Sequence, residues 1–327
     1  MKYSLTRTAL IWSSCAMLSC AGNSDTTPAM DNLVKLTNIA GSHWIQLTPQ
    51  AAFNKSYNFQ LITLRDTVWA FHPDGNYFSS DGKEWTMGKL SNIINNLAFL
   101  DYIAFKGAIY GLGHFEGNIE RFAQTSTIYK TTNMRDWEVL AGESNLPKRF
   151  FYHPFVFNDR IWIIGGSDGK TDFADIWSSP DAVHWTRHAD NLPFGKRMYS
   201  QVVNFKGKLY LLNSDVWSST DGINWKLETA AIDPKENVFG YSPVVFDDKI
   251  WLIGCNRDGK FKSEVMISED GKTWKAERAP WTPRGGMTAT VFKGMIIATG
   301  GKYGGLKEDN HTTEFVYSND VWAWEKK

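Results

Sequence analysis

The chain reads as an all-β protein, a six-bladed β-propeller of four-stranded antiparallel blades, and three observations predict this. A seven-residue turn recurs six times. Its first copy is Ser79-Ser80-Asp81-Gly82-Lys83-Glu84-Trp85, and others run Thr131 to Trp137, Ser179 to Trp185, Ser219 to Trp225 and Ser268 to Trp274, with a looser copy from Ser318 to Trp324. The closing tryptophans stand at 85, 137, 185, 225, 274 and 324, a period of 40 to 52 residues, which suits an array of propeller blades. Six apolar hairpins run in phase with these turns. The third observation is composition: aromatics make up 14% of the 327 residues, and no helical period interrupts the Gly, Asn, Asp and Ser of the turns.

Within each unit the first two strands come from a hairpin. Leu64, Phe105, Phe157, Phe205, Phe246 and Phe292 each close an apolar run, and a tight turn such as Lys106-Gly107, Asn158-Asp159 or Asp247-Asp248 follows. Two apolar runs joined this way form a β-hairpin. Five residues after the anchor stand Trp69, Tyr110, Trp162, Tyr210, Trp251 and Ile297, large side chains suited to packing between neighbouring sheets. The second strand often ends in glycine, as at Gly165-Gly166 and Gly300-Gly301. A variable loop leads to the third strand, the Ser-x-Asp-Gly turn follows, and the fourth strand begins at the tryptophan.

In that turn the Ser and Asp side chains can bond backbone amides, Gly allows a positive φ, and Trp packs between sheets, so turn chemistry accounts for every residue. The aspartates of these turns are therefore expected to be structural. Closure is legible at the ends. Trp44-Ile45-Gln46-Leu47 resembles a fourth strand without a first three, and Asp320-Val321-Trp322 resembles the third-strand openings Asp175-Ile176-Trp177 and Asp215-Val216-Trp217. The expectation is that the Trp44 strand completes the last blade, leaving no open sheet edge. The Ser318 to Trp324 match is then partly coincidental.

Over residues 41 to 327 the chain resembles the kelch-type propellers, through the Gly-Gly ending strand two, the Trp opening strand four, and a Pro-Arg or Lys-Arg before strand one. The Ser-x-Asp-Gly-x-x-Trp turn resembles the Asp-box of sialidase-like propellers, with one residue fewer between Asp and Trp. Architecturally the chain is also similar to the periplasmic N-acetylneuraminate epimerases, another six-bladed kelch ring acting on an anionic sugar. The sialidase Arg-Ile-Pro signature is absent, as is the Tyr-Cys and histidine set of kelch-type copper oxidases. The resemblance implies a fold; propellers host many unrelated activities.

The first residues read as a bacterial lipoprotein leader. Lys2 and Arg7 form a positive n-region, Thr8 to Leu18 is apolar but too short to span a bilayer, and Leu18-Ser19-Cys20-Ala21 resembles a lipobox. The expected organisation is a leader over 1–19, a flexible tether over 20–40 beginning with lipid-modified Cys20, and the propeller over 41–327. The chain is then held at the bacterial cell envelope, on its periplasmic or outer face, by the lipid alone. The full chain has 35 basic and 35 acidic residues, and no basic stripe argues for nucleic acid. No zinc-type cluster or phosphate-cradling glycine loop predicts a metal or cofactor. A monomer is expected.

Function is expected where the loops joining strands two to three and four to one meet near the axis. Eight residues before the anchors, three blades carry Arg149, Arg197 and Arg284; four residues before, all six carry a polar residue: Gln60, Asp101, His153, Gln201, Ser242 and Thr288. One reading is a cup in which the arginines grip a carboxylate bidentately above a polar ring, with Asp101 and His153 as its titratable pair. The other gives both features to the fold, because buried polar groups generally have structural partners. The loops add His114, Glu116, Asn118, Glu120 and Arg121 in the second blade and Tyr303, Lys307, Glu308, Asp309 and His311 in the sixth. The expected function is binding of a carbohydrate, including an acidic sugar, or of an envelope protein partner. The alternative is a sugar-processing enzyme, an acidic-sugar epimerase or mutarotase or a glycan hydrolase or lyase, using Asp101 and His153.

Overall fold

A computed structural model describes residues 43–57, 59–88, 99–118, 121–306 and 313–326. The leader, Cys20, the tether and the loop residues Glu120, Lys307, Glu308, Asp309 and His311 lie outside the described residues.

Six antiparallel sheets follow one another along the chain, five with their four strands in sequence order and the last with its outer strand supplied from the N-terminal end. Their inner strands are Gln60–Leu64, Phe99–Phe105, Phe155–Phe157, Gln201–Phe205, Ser242–Phe246 and Gly285–Phe292. The hairpin turns behave as their residues require. Lys106-Gly107, Asn158-Asp159, Lys206-Gly207, Asp247-Asp248 and Lys293-Gly294 all place both turn residues at positive φ, the geometry whose twist matches two-residue hairpins. Blades two and six extend their second strands, Ala108–Asn118 and Met295–Leu306, and pair these extensions with Arg121–Gln124 and Thr313–Tyr317. A small separate sheet joins Val238–Phe239, Asn256–Arg257 and Lys260–Phe261.

The ring closes as the N-terminal sequence predicts. Trp44–Thr48 pairs antiparallel with Val321–Glu325, with Trp44 opposite Trp324. Trp324 thus belongs to the third strand of blade six, and the Ser318 to Trp324 match is not a sixth copy of the turn. There Asp320 serves Arg284 instead.

In all five true turns the Asp or Asn side chain accepts two backbone amides, and in three of them, at Trp85, Trp185 and Trp225, the indole also donates to a turn carbonyl. In the first, Ser79 Oγ accepts the Gly82 amide (2.8 Å), Asp81 Oδ1 accepts the amides of Lys83 (2.8 Å) and Glu84 (3.0 Å), and Trp85 Nε1 donates to the Gly82 carbonyl (3.1 Å). The copy at Ser219 to Trp225 repeats all four within 2.8–2.9 Å. Where Thr131 and Asn133 replace Ser and Asp, their oxygens accept the same amides. The aspartates are occupied by the backbone they were expected to hold.

Six apolar clusters fill the six gaps between adjacent blades, and the second strand of each blade feeds two of them alternately. In blade three, Ile161 and Ile163 pack towards blade two, while Trp162 and Ile164 pack towards blade four. In blade five, Ile250 and Leu252 face blade four, and Trp251 and Ile253 face blade six. Side chains alternate across a strand, so a sheet covered on both faces needs an uninterrupted apolar run. That explains why the central strands read as Ile-Trp-Ile-Ile and Ile-Trp-Leu-Ile rather than as alternating patterns.

Candidate functional site

The polar ring is in part a seam between blades. Thr288 Oγ1 accepts the Leu61 amide of blade one (2.9 Å), Gln60 Oε1 accepts the Tyr102 amide of blade two (2.7 Å), and Ser242 Oγ accepts the Ala289 amide of blade six (3.0 Å). Each side chain thus bonds the N–H one residue past its counterpart in the next blade. At two steps that donor cannot exist. The residue after His153 is Pro154 and the residue after Ser242 is Pro243, and proline has no amide hydrogen. Asp101 and Gln201, which would reach these positions, are denied the seam bond. The arc through blades two, three and four therefore differs from the zipped arc through five, six and one.

Asp101 uses its freedom to gather histidines. Its Oδ1 accepts from Gln60 Nε2 (3.0 Å), and its Oδ2 lies 3.3 Å from His153 Nδ1 and 3.5 Å from His114 Nε2. His114 comes from the second strand of blade two and lies against the buried Tyr152 ring, centroids 4.4 Å apart. Burial by itself would raise the Asp101 carboxyl, but His153 and His114 beside it prevail and hold it below the usual carboxylate range. Burial pushes the His114 imidazole down to about 4 despite the carboxylate. His153 goes the other way: burial would lower it, but Asp101 prevails and raises it. The side chain of His153 is 28% exposed, that of His114 only 7%. One carboxylate thus favours the charged form of a partly exposed imidazole, while burial favours the neutral form of the second imidazole beside it. Neighbouring groups driven apart in this way are the raw material of acid–base chemistry.

The two histidines give opposite pH dependences. The folded value of His114 lies below its unfolded value of 6.5, so its contribution to stability is present above about pH 6.5 and is lost as pH falls towards 4. His153 contributes below pH 6.5 and loses that contribution as pH rises through its folded value. Acidification from pH 7 to 4 should therefore cost on the order of 3 kcal/mol through His114. In thermal unfolding at a series of pH values, His114→Gln should flatten that acid limb; an unchanged slope would place the acid sensitivity elsewhere.

The arginines need a correction. Arg149 sends Nη1 and Nη2 to the two oxygens of Asp175 at 2.7 and 3.0 Å, Arg197 pairs likewise with Asp215 at 2.8 and 3.3 Å, and Arg284 with Asp320 at 2.5 and 3.1 Å. In each case the indole two residues after the aspartate completes the arrangement: Trp177, Trp217 and Trp322 Nε1 donate to the same aspartates at 2.7, 2.8 and 2.9 Å. Arg149 and Arg284 are buried. Bidentate guanidinium–carboxylate pairing, the geometry expected for a ligand, is satisfied inside the blade. The glycines ending strand two make room for it: a Cβ on Gly301 would come within 3.0 Å of Arg284 Cδ, and one on Gly165 within 2.4 Å of the Arg197 carbonyl oxygen. A sequence signal existed. Asp-x-Trp opens the third strand in blades three, four and six, the same three blades that carry the arginine.

Asp101 and His153 are thus brought together as expected, and His114, placed by sequence among loop residues, joins them because the second strand of blade two runs on as far as Asn118. Gln60, Ser242 and Thr288 serve the seam. The core cysteine, Cys255, is buried, which pushes its thiol up to about 12 and leaves it unreactive.

The model of the DUF6242 beta propeller domain matches residues 137–326. Among solved structures the chain is similar to the one titled "Structure of YjhT", at 15% identity and a TM-score of 0.66, over 84% of this chain and 96% of that one. At that identity the likeness speaks for the fold alone. No curated protein matches the chain.

Proposed function

The chain belongs to the DUF6242 beta propeller domain family, and we propose that it is a carbohydrate-binding propeller whose ligand sits over the blade two to four arc, beside Asp101 and His153. The observation that carries this reading is the break in the seam. Where prolines remove the amide donors, Asp101 and Gln201 lack the seam bond, and the partly exposed His153 stands between them. A ligand rich in hydroxyls, each able to donate and accept, suits such mixed groups. Because the arginines are occupied by aspartates, a carboxylate is not required of the ligand. The kelch-like spacing and the Asp-box-like turns fit a ring of this kind. The leader motif supports attachment to the bacterial envelope through a lipid on Cys20, which would present the ring to envelope or extracellular glycans.

A second reading rests on the paired histidines. His153, whose charged form the neighbouring Asp101 favours and whose side chain is partly open to solvent, is placed to act as a general acid, so a bound sugar in reach would be a substrate. Thermal-shift screening with neutral and acidic oligosaccharides, followed by proton NMR of any hit, separates the cases. The expected result is saturable stabilisation. Turnover abolished by His153→Ala would make the protein an enzyme, while absence of stabilisation by any sugar would leave the ring as a platform for a protein partner. Palmitate labelling in cells should accompany the chain and disappear in Cys20→Ser; labelling that survives ends the lipid-anchor reading.

A further inference from the structure

Two aromatic residues stand where blades five and six use glycine. Among the described residues, the position two before the polar-ring residue takes a left-handed backbone in four blades: Gly240 at φ 66° and Gly286 at φ 67° in blades five and six, but Phe151 at φ 60° and Tyr199 at φ 59° in blades three and four. Glycine adopts this conformation freely, whereas for a bulky side chain it is an outlier. The seam bond at this position is made by the backbone. The Tyr199 amide donates to the Phe151 carbonyl (2.8 Å), and the Gly286 amide makes the corresponding bond to the Gly240 carbonyl (3.3 Å) without any side chain.

The rings do not repay the strain through the core. Neither belongs to the clusters between blades. They stack on each other, centroids 4.4 Å apart and planes 28° from parallel; Phe151 also meets the buried Phe150 edge-on at 4.6 Å, while Tyr199 is 51% exposed. Backbone strain of this kind persists where surroundings over-determine it and gathers at ligand sites. These two positions lie two residues before His153 and Gln201, on the arc that the prolines leave unzipped.

We propose that Phe151 and Tyr199 form a stacking platform for the apolar face of an uncharged pyranose ring, whose hydroxyls are met by His153 and Gln201. The inference rests on the carbohydrate reading above and narrows it to a neutral sugar. The C–H groups on one face of a pyranose carry slight positive charge and suit the negative face of an aromatic ring. The flanking His153 and Gln201 supply donors and acceptors for hydroxyl groups at its edge. Charge argues for neutrality: the three arginines that would have gripped a carboxylate are paired within their own blades.

The test uses the mature chain with chitotetraose, maltotetraose, laminaritetraose and sialyllactose in isothermal titration. The parent is expected to bind at least one of the three neutral sugars. Tyr199→Gly keeps the left-handed backbone, so it should leave the melting temperature unchanged or raise it, while weakening binding at least tenfold; Tyr199→Phe should retain it. Neutral-sugar binding that is undiminished in Tyr199→Gly overturns the platform and leaves the carbohydrate reading standing. Binding confined to sialyllactose overturns the assignment of an uncharged ligand. A large fall in melting temperature in Tyr199→Gly would show the ring to be a packing element and overturn the platform as well. A parent that binds no sugar removes both readings together.

Discussion

Arg149→Ala is expected to destabilise the protein by about 3–5 kcal/mol, because it strands the Asp175 carboxylate in the interior without its counter-ion. Arg149 is 1% exposed, and the Asp175 side chain 11%. The loss of one partner of such a pair weighs more than the loss of both. Replacing them together, with Arg149→Met and Asp175→Leu, should therefore restore much of the stability, since apolar groups of similar volume need no desolvated partner. Urea unfolding of the two single variants and the double variant gives the coupling directly. A binding site would behave differently: Arg149→Ala would remain as stable as the parent and lose affinity. That outcome would return the arginines to the ligand.

Trp44→Ala is expected to cost about 3–5 kcal/mol, the range for truncating a buried tryptophan. Trp44 is 4% exposed and meets Trp281 edge-on, centroids 4.7 Å apart, within the cluster that joins blades five and six. Its strand is the one element of blade six that comes from the other end of the chain, so the variant weakens closure as well as packing. Removing residues 43–48 altogether should expose the backbone of Val321–Glu325 as an open edge, which promotes association with other chains. Light scattering should then show self-association that the parent does not. A melting temperature unmoved by Trp44→Ala would mean that the ring is held shut by other contacts.

Much of the candidate site was legible as positions but not as roles. Counting from the hairpin anchors identified Asp101 and His153, and the structure brings them together because equivalent positions of adjacent inner strands face one another across a blade boundary. The same counting singled out Arg149, Arg197 and Arg284 but left their partner open between a ligand carboxylate and a group of the fold. Their aspartates lie 18 to 36 residues further on, past a loop whose length varies from blade to blade, so spacing alone does not connect them. The recurrence of arginine with Asp-x-Trp in the same three blades was the available clue. His114 offered no such clue, because its place depends on a strand that extends beyond the length of its counterparts. The two prolines were visible in the sequence throughout, but they acquire meaning only when one knows that the preceding blade reaches for that particular amide.

What the sequence determined by itself is everything that repeats. The six units, their hairpins, the Ser-Asp turns and the closing Trp44 strand follow from local chemistry: turn residues set φ, apolar runs set strands, and each copy confirms the others. Only the tertiary structure decided which polar groups are engaged and which are left over. That depends on the neighbour across the blade boundary, whether an amide, a proline, an aspartate or a second histidine, and a linear repeat does not name its neighbours in space. The fold is a sum of local rules, while the site lies where the ring departs from them, at Pro154 and Pro243 and at the strained backbones of Phe151 and Tyr199.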